Sequence, residues 1–265
     1  MGGAERNARK KKQEQLAAKA VVAARGSSGG DRNKIIIGVV VVAVLAIGVI
    51  GAVLLNKPST PVALTPPVDV KTVAAPVQRQ DDATVLVGKE TAKVTVDVYE
   101  DFLCPICGTF EKTYGAKLRE QVEAGTVKVR YHVLPLLVRL SKPEGYSRDS
   151  ANAALCAADA GKFTEYHDSL FAKQPKENGA GYTKDQLVKL GTDLGIAGDT
   201  FKSCVDGDTY NQALQANLDK ANATPYLQAD RGNGTKGFRG TPTVAVGEQL
   251  ISLDNENWIS DLLKG

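Results

Sequence analysis

Alternating apolar and polar residues predict the first elements of a mixed α/β domain. Short strands are predicted at 84–87, 93–99 and 126–134. In the second of these, every other residue from Val94 to Val98 is a valine. Apolar residues at four-residue steps then predict a helix that begins near Cys104 and ends at Gly125. This strand, helix and strand form a βαβ unit, in which a right-handed crossover connects two parallel strands.

A long helical stretch separates this unit from the last strands. Helices are predicted at 147–160, 163–174, 183–194, 199–205 and 209–221. The residues from Thr183 to Gln186 have the form of a capping box, which marks the start of a helix. Strands at 242–246 and 249–252 and a helix at 256–263 complete the domain. The pattern predicts an α/β scaffold that is interrupted by a helical insert at about 146–225.

The longest apolar run, from Ile35 to Leu55, contains 21 residues without a charged or strongly polar side chain. It predicts a single transmembrane helix, because about 20 apolar residues cross a bilayer. A cleaved signal peptide is the alternative, but its apolar region would contain only about 7 to 15 residues. Nine Lys or Arg against three acids precede the run, which predicts a cytoplasmic N-terminus and an extracytoplasmic domain anchored in the cell membrane.

Composition divides the chain into four parts. These are a basic tail, the transmembrane helix, a linker with five of the eleven prolines, and the folded domain, at 1–34, 35–55, 56–80 and 81–265. The net charge of +3 comes from the tail, so the sequence argues against nucleic acid binding by the domain. We expect the tail to orient the anchor and to contact anionic membrane lipid.

The candidate chemistry lies at the start of the first predicted helix, in Cys104, Pro105, Ile106 and Cys107. A thiol at a helix N-terminus faces unpaired backbone N–H groups, which lower its pKa from about 8.5. Cys104 is therefore the candidate nucleophile, and Cys107 is the candidate resolving thiol. Pro105 suits the first helical turn because it lacks an N–H. Half of a structural zinc site is the alternative, but no second pair of cysteines follows at the usual spacing, so no metal is predicted.

The segment from Glu100 to Cys107, together with Gly240-Thr241-Pro242-Thr243, is similar to the DsbA-like branch of the thioredoxin superfamily, over about residues 82–264. The resemblance implies a thioredoxin-like fold with a helical insertion and a thiol-disulfide oxidoreductase without a cofactor. It also implies a cis bond between Thr241 and Pro242, with Thr241 offering backbone groups to a substrate peptide. Alone, the Gly-Thr-Pro-Thr segment would indicate an ordinary turn.

Two departures from the family pattern concern proton transfer and redox potential. Many relatives have a buried acid six residues before the first cysteine; here that residue is Val98, and Asp97 and Glu100 are expected to point elsewhere. The strongest oxidants of the family have His before the second cysteine, whereas this chain has Ile106, which cannot hydrogen-bond the thiolate. We therefore expect a less oxidising pair than theirs.

Cys156 and Cys204 lie within the predicted insert of an exported domain, where a structural disulfide is the leading interpretation. A second redox pair that relays electrons is the alternative, but neither cysteine has the helix-start position of Cys104. Of the two histidines, His132 is expected on a strand near the core or edge and His167 on a helix surface.

These observations favour a membrane-tethered enzyme that oxidises cysteine pairs of exported proteins through a disulfide between Cys104 and Cys107. The resemblance implies reoxidation by a quinone-linked membrane protein of the DsbB or VKOR kind. A reductase or isomerase is the competing enzyme. Isomerase relatives dimerise through an added N-terminal domain, which the linker at 56–80 cannot supply, so we expect a monomer. A non-catalytic, membrane-anchored peptide-binding chaperone module, whose cysteines only staple the helix, is a second class of function.

Overall fold

The computed structural model describes residues 64–65, 73–80, 82–232 and 234–264. Within these ranges, no helix is long and apolar enough to cross a membrane. The tail and the transmembrane helix predicted for the first 55 residues lie outside them, as does most of the predicted linker. The anchor and the membrane location therefore stay predictions.

A six-stranded sheet forms the centre of the domain, in the strand order β1-β2-β4-β3-β7-β8. Its strands are β1 (Val77–Arg79), β2 (Val85–Val87), β3 (Val94–Glu100), β4 (Val127–Val133), β7 (Thr243–Val246) and β8 (Gln249–Leu250). β3 and β4 are parallel, as the predicted βαβ unit requires, and the other neighbouring pairs are antiparallel. A separate antiparallel hairpin contains β5 (Gln228–Asp230) and β6 (Lys236–Phe238).

One helical run connects β3 with β4. It consists of α1 (Pro105–Phe110), a π-helical turn (Glu111–Gly115) and α2 (Ala116–Ala124). Gly125 ends the run in the left-handed conformation, with a φ of 76°, which glycine adopts without steric cost. The helical insert contains α3 (Tyr146–Asp159), α4 (Phe163–Ala172), α5 (Lys184–Asp193), α6 (Asp199–Asp206) and α7 (Asn211–Ala223), and α8 (Trp258–Leu262) follows the sheet. The predicted capping box at the start of α5 is present.

The two faces of the sheet contribute to different cores. Val96 and Val98 of β3 belong to the larger core, which also contains apolar residues of the helical run and the insert. Tyr99 belongs to a smaller core with Leu134 and Phe238. Neighbouring side chains on a strand point to opposite faces, and residues two apart share a face. The strand therefore directs its even-numbered residues toward the helix that carries the two cysteines.

The end of the predicted Pro-rich linker belongs to the folded domain. β1 lies in this segment, and its Val77 pairs with Val87 of β2. Leu64 and Val73 from the same segment are buried in the larger core. β1 contains only one apolar residue, Val77, and follows a proline, so the pattern does not distinguish it from a spacer. The small number of apolar residues likewise explains why the hairpin of β5 and β6 is not predicted.

A disulfide joins Cys156 in α3 to Cys204 in α6, with 5.9 Å between their Cα atoms. The side-chain amide of Asn152, also in α3, donates to the carbonyls of Cys204 and Val205, both at 3.3 Å. The covalent bond and these hydrogen bonds hold α6 against α3 within the insert.

Replacing Cys156 and Cys204 together with Ala should lower the free energy of unfolding by about 4 kcal/mol at most, because the disulfide closes a long loop and restricts the unfolded chain. Oxidation of dithiols should change little. Denaturation curves and an oxidation assay of the double variant measure the two effects. A fully stable double variant without turnover would contradict a structural role for this disulfide.

Candidate active site

The candidate nucleophile lies where β3 passes into α1. Cys104 is the N-cap residue of α1, with extended backbone, and Pro105 occupies the first turn. The Cys104 carbonyl accepts the first helical hydrogen bond from the Gly108 N–H at 3.1 Å. Cys104 and Cys107 are free thiols with exposed fractions of 6% and 0%, whereas Ile106 is 65% exposed. Only Cys104 is therefore within reach of a partner that contacts Ile106.

The loop before β7 covers the Cys104 sulfur. The peptide bond between Thr241 and Pro242 is cis, and the Cys104 thiol donates to the Thr241 carbonyl at 3.3 Å. Pro242 lines a groove of about 280 Å³, together with Arg239, Thr243, Val244 and residues 250–253. The groove therefore lies one residue from Thr241, the residue that contacts the reactive sulfur, which suits the binding of an extended peptide.

The two thiols have opposite pKa shifts. A hydrogen bond with Cys107 lowers the pKa of Cys104 to about 6 against the opposing effect of burial, and the Thr241 side chain and the backbone N–H groups of Cys107 and Ile106 also lower it. Burial raises the pKa of Cys107 well above its ordinary value, and the neighbouring Cys104 and Glu100 raise it further. At pH 7, Cys104 is therefore mostly thiolate and Cys107 is a protonated thiol.

Asp101 holds the loop before the nucleophile, a role that the sequence pattern does not reveal. Its Oδ1 accepts from the Leu103 N–H at 2.8 Å, and its Oδ2 accepts from the Leu137 N–H at 2.8 Å and the Ser147 hydroxyl at 2.6 Å. Burial raises the pKa of Asp101 to about 6 despite these hydrogen bonds. Because Ser147 lies in the first turn of α3, Asp101 attaches the helical insert to the active-site loop.

A buried ionisable cluster also acts on Cys107. Glu100 is completely buried, and its Oε1 lies 2.6 Å from Nε2 of His167. Burial alone would lower the pKa of His167, but Glu100 and Asp168 raise it well above its ordinary value. Burial raises the pKa of Glu111 to about 8. At pH 7 the interior therefore contains a protonated His167, hydrogen-bonded to Glu100, beside a protonated Glu111.

This cluster corrects two of the sequence predictions. Glu100 does not point away from the core, because it lies two residues after Val98 and shares its face. His167 is not a helix-surface residue but is buried, at 2% exposure of its side chain. The sequence did contain a signal for the burial of His167: it lies on the apolar stripe of α4, four residues from both Phe163 and Phe171. A buried acid on the Val98 face of β3 therefore lies four residues before Cys104.

The same cluster is the candidate for a metal site among the described residues. Ligand atoms of Glu100, Glu111 and His167 all lie within 4.8 Å of one another. The 2.6 Å contact between Glu100 and His167 is, however, a hydrogen-bond distance, and a protonated Glu111 adds no negative charge that a cation would balance. These residues fit a proton-holding cluster better than a metal centre.

The other histidine lies on the opposite face of the sheet. His132 of β4 is buried, its Nε2 lies 2.8 Å from Oδ1 of Asp97, and its ring stacks on Tyr99 with 4.0 Å between centroids. Its place on a strand next to the smaller core agrees with the sequence prediction, and it is outside the thiol site.

Comparison with known proteins agrees with this geometry. Residues 80–264 match a family model described as Thioredoxin. The chain belongs to the thioredoxin family. It is similar to the reduced disulfide bond oxidoreductase DsbG from Mycobacterium tuberculosis, with 25% identity and a TM-score of 0.56 over 74% of this chain and 88% of that one. It is also similar to oxidised DsbA from the same organism, with 26% identity and a TM-score of 0.55 over 72% of this chain and 91% of that one.

The curated relatives of this thioredoxin-family chain include disulfide oxidoreductases and a protein kinase. Disulfide bond formation protein D from Bacillus subtilis is 27% identical over 63% of this chain and 68% of its own length. The serine/threonine-protein kinase PknE from M. tuberculosis is 28% identical over 68% of this chain, but the match spans only 31% of the kinase. The oxidoreductase relatives and the structures confirm the prediction of a DsbA-like protein thiol-disulfide oxidoreductase with a thioredoxin-like fold and a helical insertion.

The lowered pKa of Cys104 predicts that the reduced protein becomes more stable as the pH rises above 6. The folded-state pKa of about 6 lies below the unfolded value of about 8.5, so the gain is complete above 8.5 and is lost as the pH falls through 6. Between pH 5 and pH 8 the gain should be about 2 to 3 kcal/mol. Denaturant unfolding of reduced wild type and Cys104→Ser measures it. Parallel pH profiles for the two proteins would contradict a stabilised thiolate.

Glu100→Gln should lower the pKa of Cys107, because it removes a buried negative charge that opposes the Cys107 thiolate. Carbon-13 labelling of the cysteine Cβ atoms and NMR titration of a Cys104→Ser background measure this pKa directly. Asp168→Asn is the matched control, since Asp168 Oδ1 contacts the other ring nitrogen of His167 at 3.2 Å and is more exposed. A pKa of Cys107 that stayed the same in Glu100→Gln would show that the cluster does not act on this thiol.

Proposed function

We propose that this protein oxidises cysteine pairs of exported proteins through a disulfide between Cys104 and Cys107. The observation that carries the proposal is the position of Cys104 at the start of α1, in contact with Thr241 and near the groove at Pro242, where its pKa is lowered to about 6. Pro105 and Ile106 would form the surface that a substrate meets first, and Thr241 and Pro242 would hold the substrate backbone.

The pKa values favour oxidation over reduction of the substrate. A substrate thiolate attacks the Cys104 sulfur of the disulfide, which forms a mixed disulfide and releases Cys107 as a thiolate that takes up a proton. A second substrate thiolate then attacks the substrate sulfur, and Cys104 leaves as a thiolate with its electron pair. A thiol of low pKa is a good leaving group, so the second step is fast. The high pKa of Cys107 keeps it from reversing the mixed disulfide at neutral pH.

The same two pKa shifts distinguish the proposed oxidase from a reductase and from a non-catalytic chaperone. A reductase needs Cys107 to attack the mixed disulfide, which its raised pKa slows. A chaperone whose cysteines only staple the helix would need no lowered pKa at Cys104. Both shifts therefore favour a dithiol oxidase.

The proposed location is the outer side of the cell membrane, with the transmembrane helix at 35–55 as tether and the basic tail in the cytoplasm. The apolar run and the charges before it support this arrangement. The proposed partners are exported proteins with cysteine thiols, membrane lipid, and a quinone-linked reoxidase of the DsbB or VKOR kind, with the protein acting as a monomer. The similarity to Disulfide bond formation protein D supports partners of this class.

Cys107→Ala should accumulate mixed disulfides between substrates and Cys104. The Cys104 thiolate can still attack a substrate disulfide and displace one substrate thiolate, while Cys107 is no longer present to release the adduct. Cys104→Ala should accumulate almost none, since Cys107 is fully buried and protonated. Non-reducing gels of membranes that contain each variant show the adducts. Adducts on Cys107, or none in either variant, would contradict the assigned roles.

A further inference from the structure

Gln174 connects the helical insert to the backbone around the nucleophile. It follows directly after Lys173, the residue that ends α4. Its Nε2 donates to the Cys104 carbonyl at 2.9 Å and to the Phe102 carbonyl at 3.1 Å. One side-chain amide therefore bonds two carbonyl groups of the active-site loop.

The Gln174 amide lies where it can stabilise a negative charge on Cys104. The Cys104 carbonyl also accepts the Gly108 N–H at 3.1 Å, so Gln174 occupies its second acceptor site. The Gln174 N–H group offsets the negative end of the Cys104 carbonyl dipole. The sulfur of the same residue carries the thiolate charge. Donors fixed in a buried site before the charge forms stabilise it more than water does. The amide of Gln174 therefore favours the thiolate over the thiol.

Gly108 provides the space in which the Gln174 amide lies. A Cβ atom at Gly108 would lie 2.5 Å from Oε1 of Gln174, which is too close for nonbonded atoms. Alanine stabilises a helix relative to glycine, so helix formation alone does not explain glycine in α1. The contact with Gln174 does explain it.

We propose that Gln174 is a positioning residue that stabilises the Cys104 thiolate from the helical insert and thereby raises the oxidising strength of the pair. This role rests on the proposed function. Gln174 does not contact the reacting sulfur; it acts through the Cys104 and Phe102 carbonyls.

Gln174→Met, in the purified full-length chain, removes the amide and keeps most of the side-chain volume. It should raise the pKa of Cys104 by about half to one unit, read from thiolate absorbance during a pH titration. The equilibrium with glutathione should shift about three- to tenfold toward the disulfide form. Gln215→Met is the matched control, since Gln215 is an exposed glutamine of α7 that bonds Asp219, and it should change neither quantity.

Gly108→Ala tests the same contact independently and without changing Gln174, because the added methyl group displaces the amide. It should raise the pKa of Cys104 by a similar amount, and adding Gln174→Ala should cause no further rise. An unchanged pKa in folded Gln174→Met or Gly108→Ala protein, or additive effects in the double variant, would overturn the role of Gln174. Wild-type protein with a Cys104 pKa near 6 that oxidises no dithiol would instead overturn the proposed function.

Discussion

A negative charge on the Cys104 sulfur is the constraint around which the site is arranged, because the residue is only 6% exposed and burial disfavours the charge. The hydrogen bond with Cys107 and the backbone N–H groups at the start of α1 outweigh that penalty. They do so only while the loop keeps its shape. Asp101 fixes the residues before Cys104, and the Thr241 side chain adds a hydrogen bond that favours the thiolate.

The two cysteines differ because the fold gives them different surroundings. Cys104 lies at the helix start, while Cys107, one turn later, is completely buried near Glu100. Glu100, which raises the pKa of Cys107, is hydrogen-bonded to His167 at 2.6 Å. The resemblance implies a buried acid at the position of Val98; this chain has Glu100 on the same strand face, two residues later.

Features that depend on neighbouring residues in the sequence were predictable. The spacing of Cys104 and Cys107 after a strand indicated a helix-start thiol, and four-residue apolar steps indicated the helix up to Gly125. Features that depend on contacts between distant segments of the chain were not predictable from the sequence. The bonds from Leu137 and Ser147 to Asp101 join residues 36 and 46 positions apart, and no periodic pattern encodes such a contact.

The reduction potential of the Cys104–Cys107 pair tests the account most directly, because the thiolate is what stabilises the reduced form. Equilibration of the purified full-length protein with glutathione buffers measures this potential. Ile106 gives the thiolate no hydrogen bond, so we expect a value below the roughly −120 mV of DsbA but above about −200 mV. A value near −270 mV, as in thioredoxin, would contradict an oxidase and indicate a reductase.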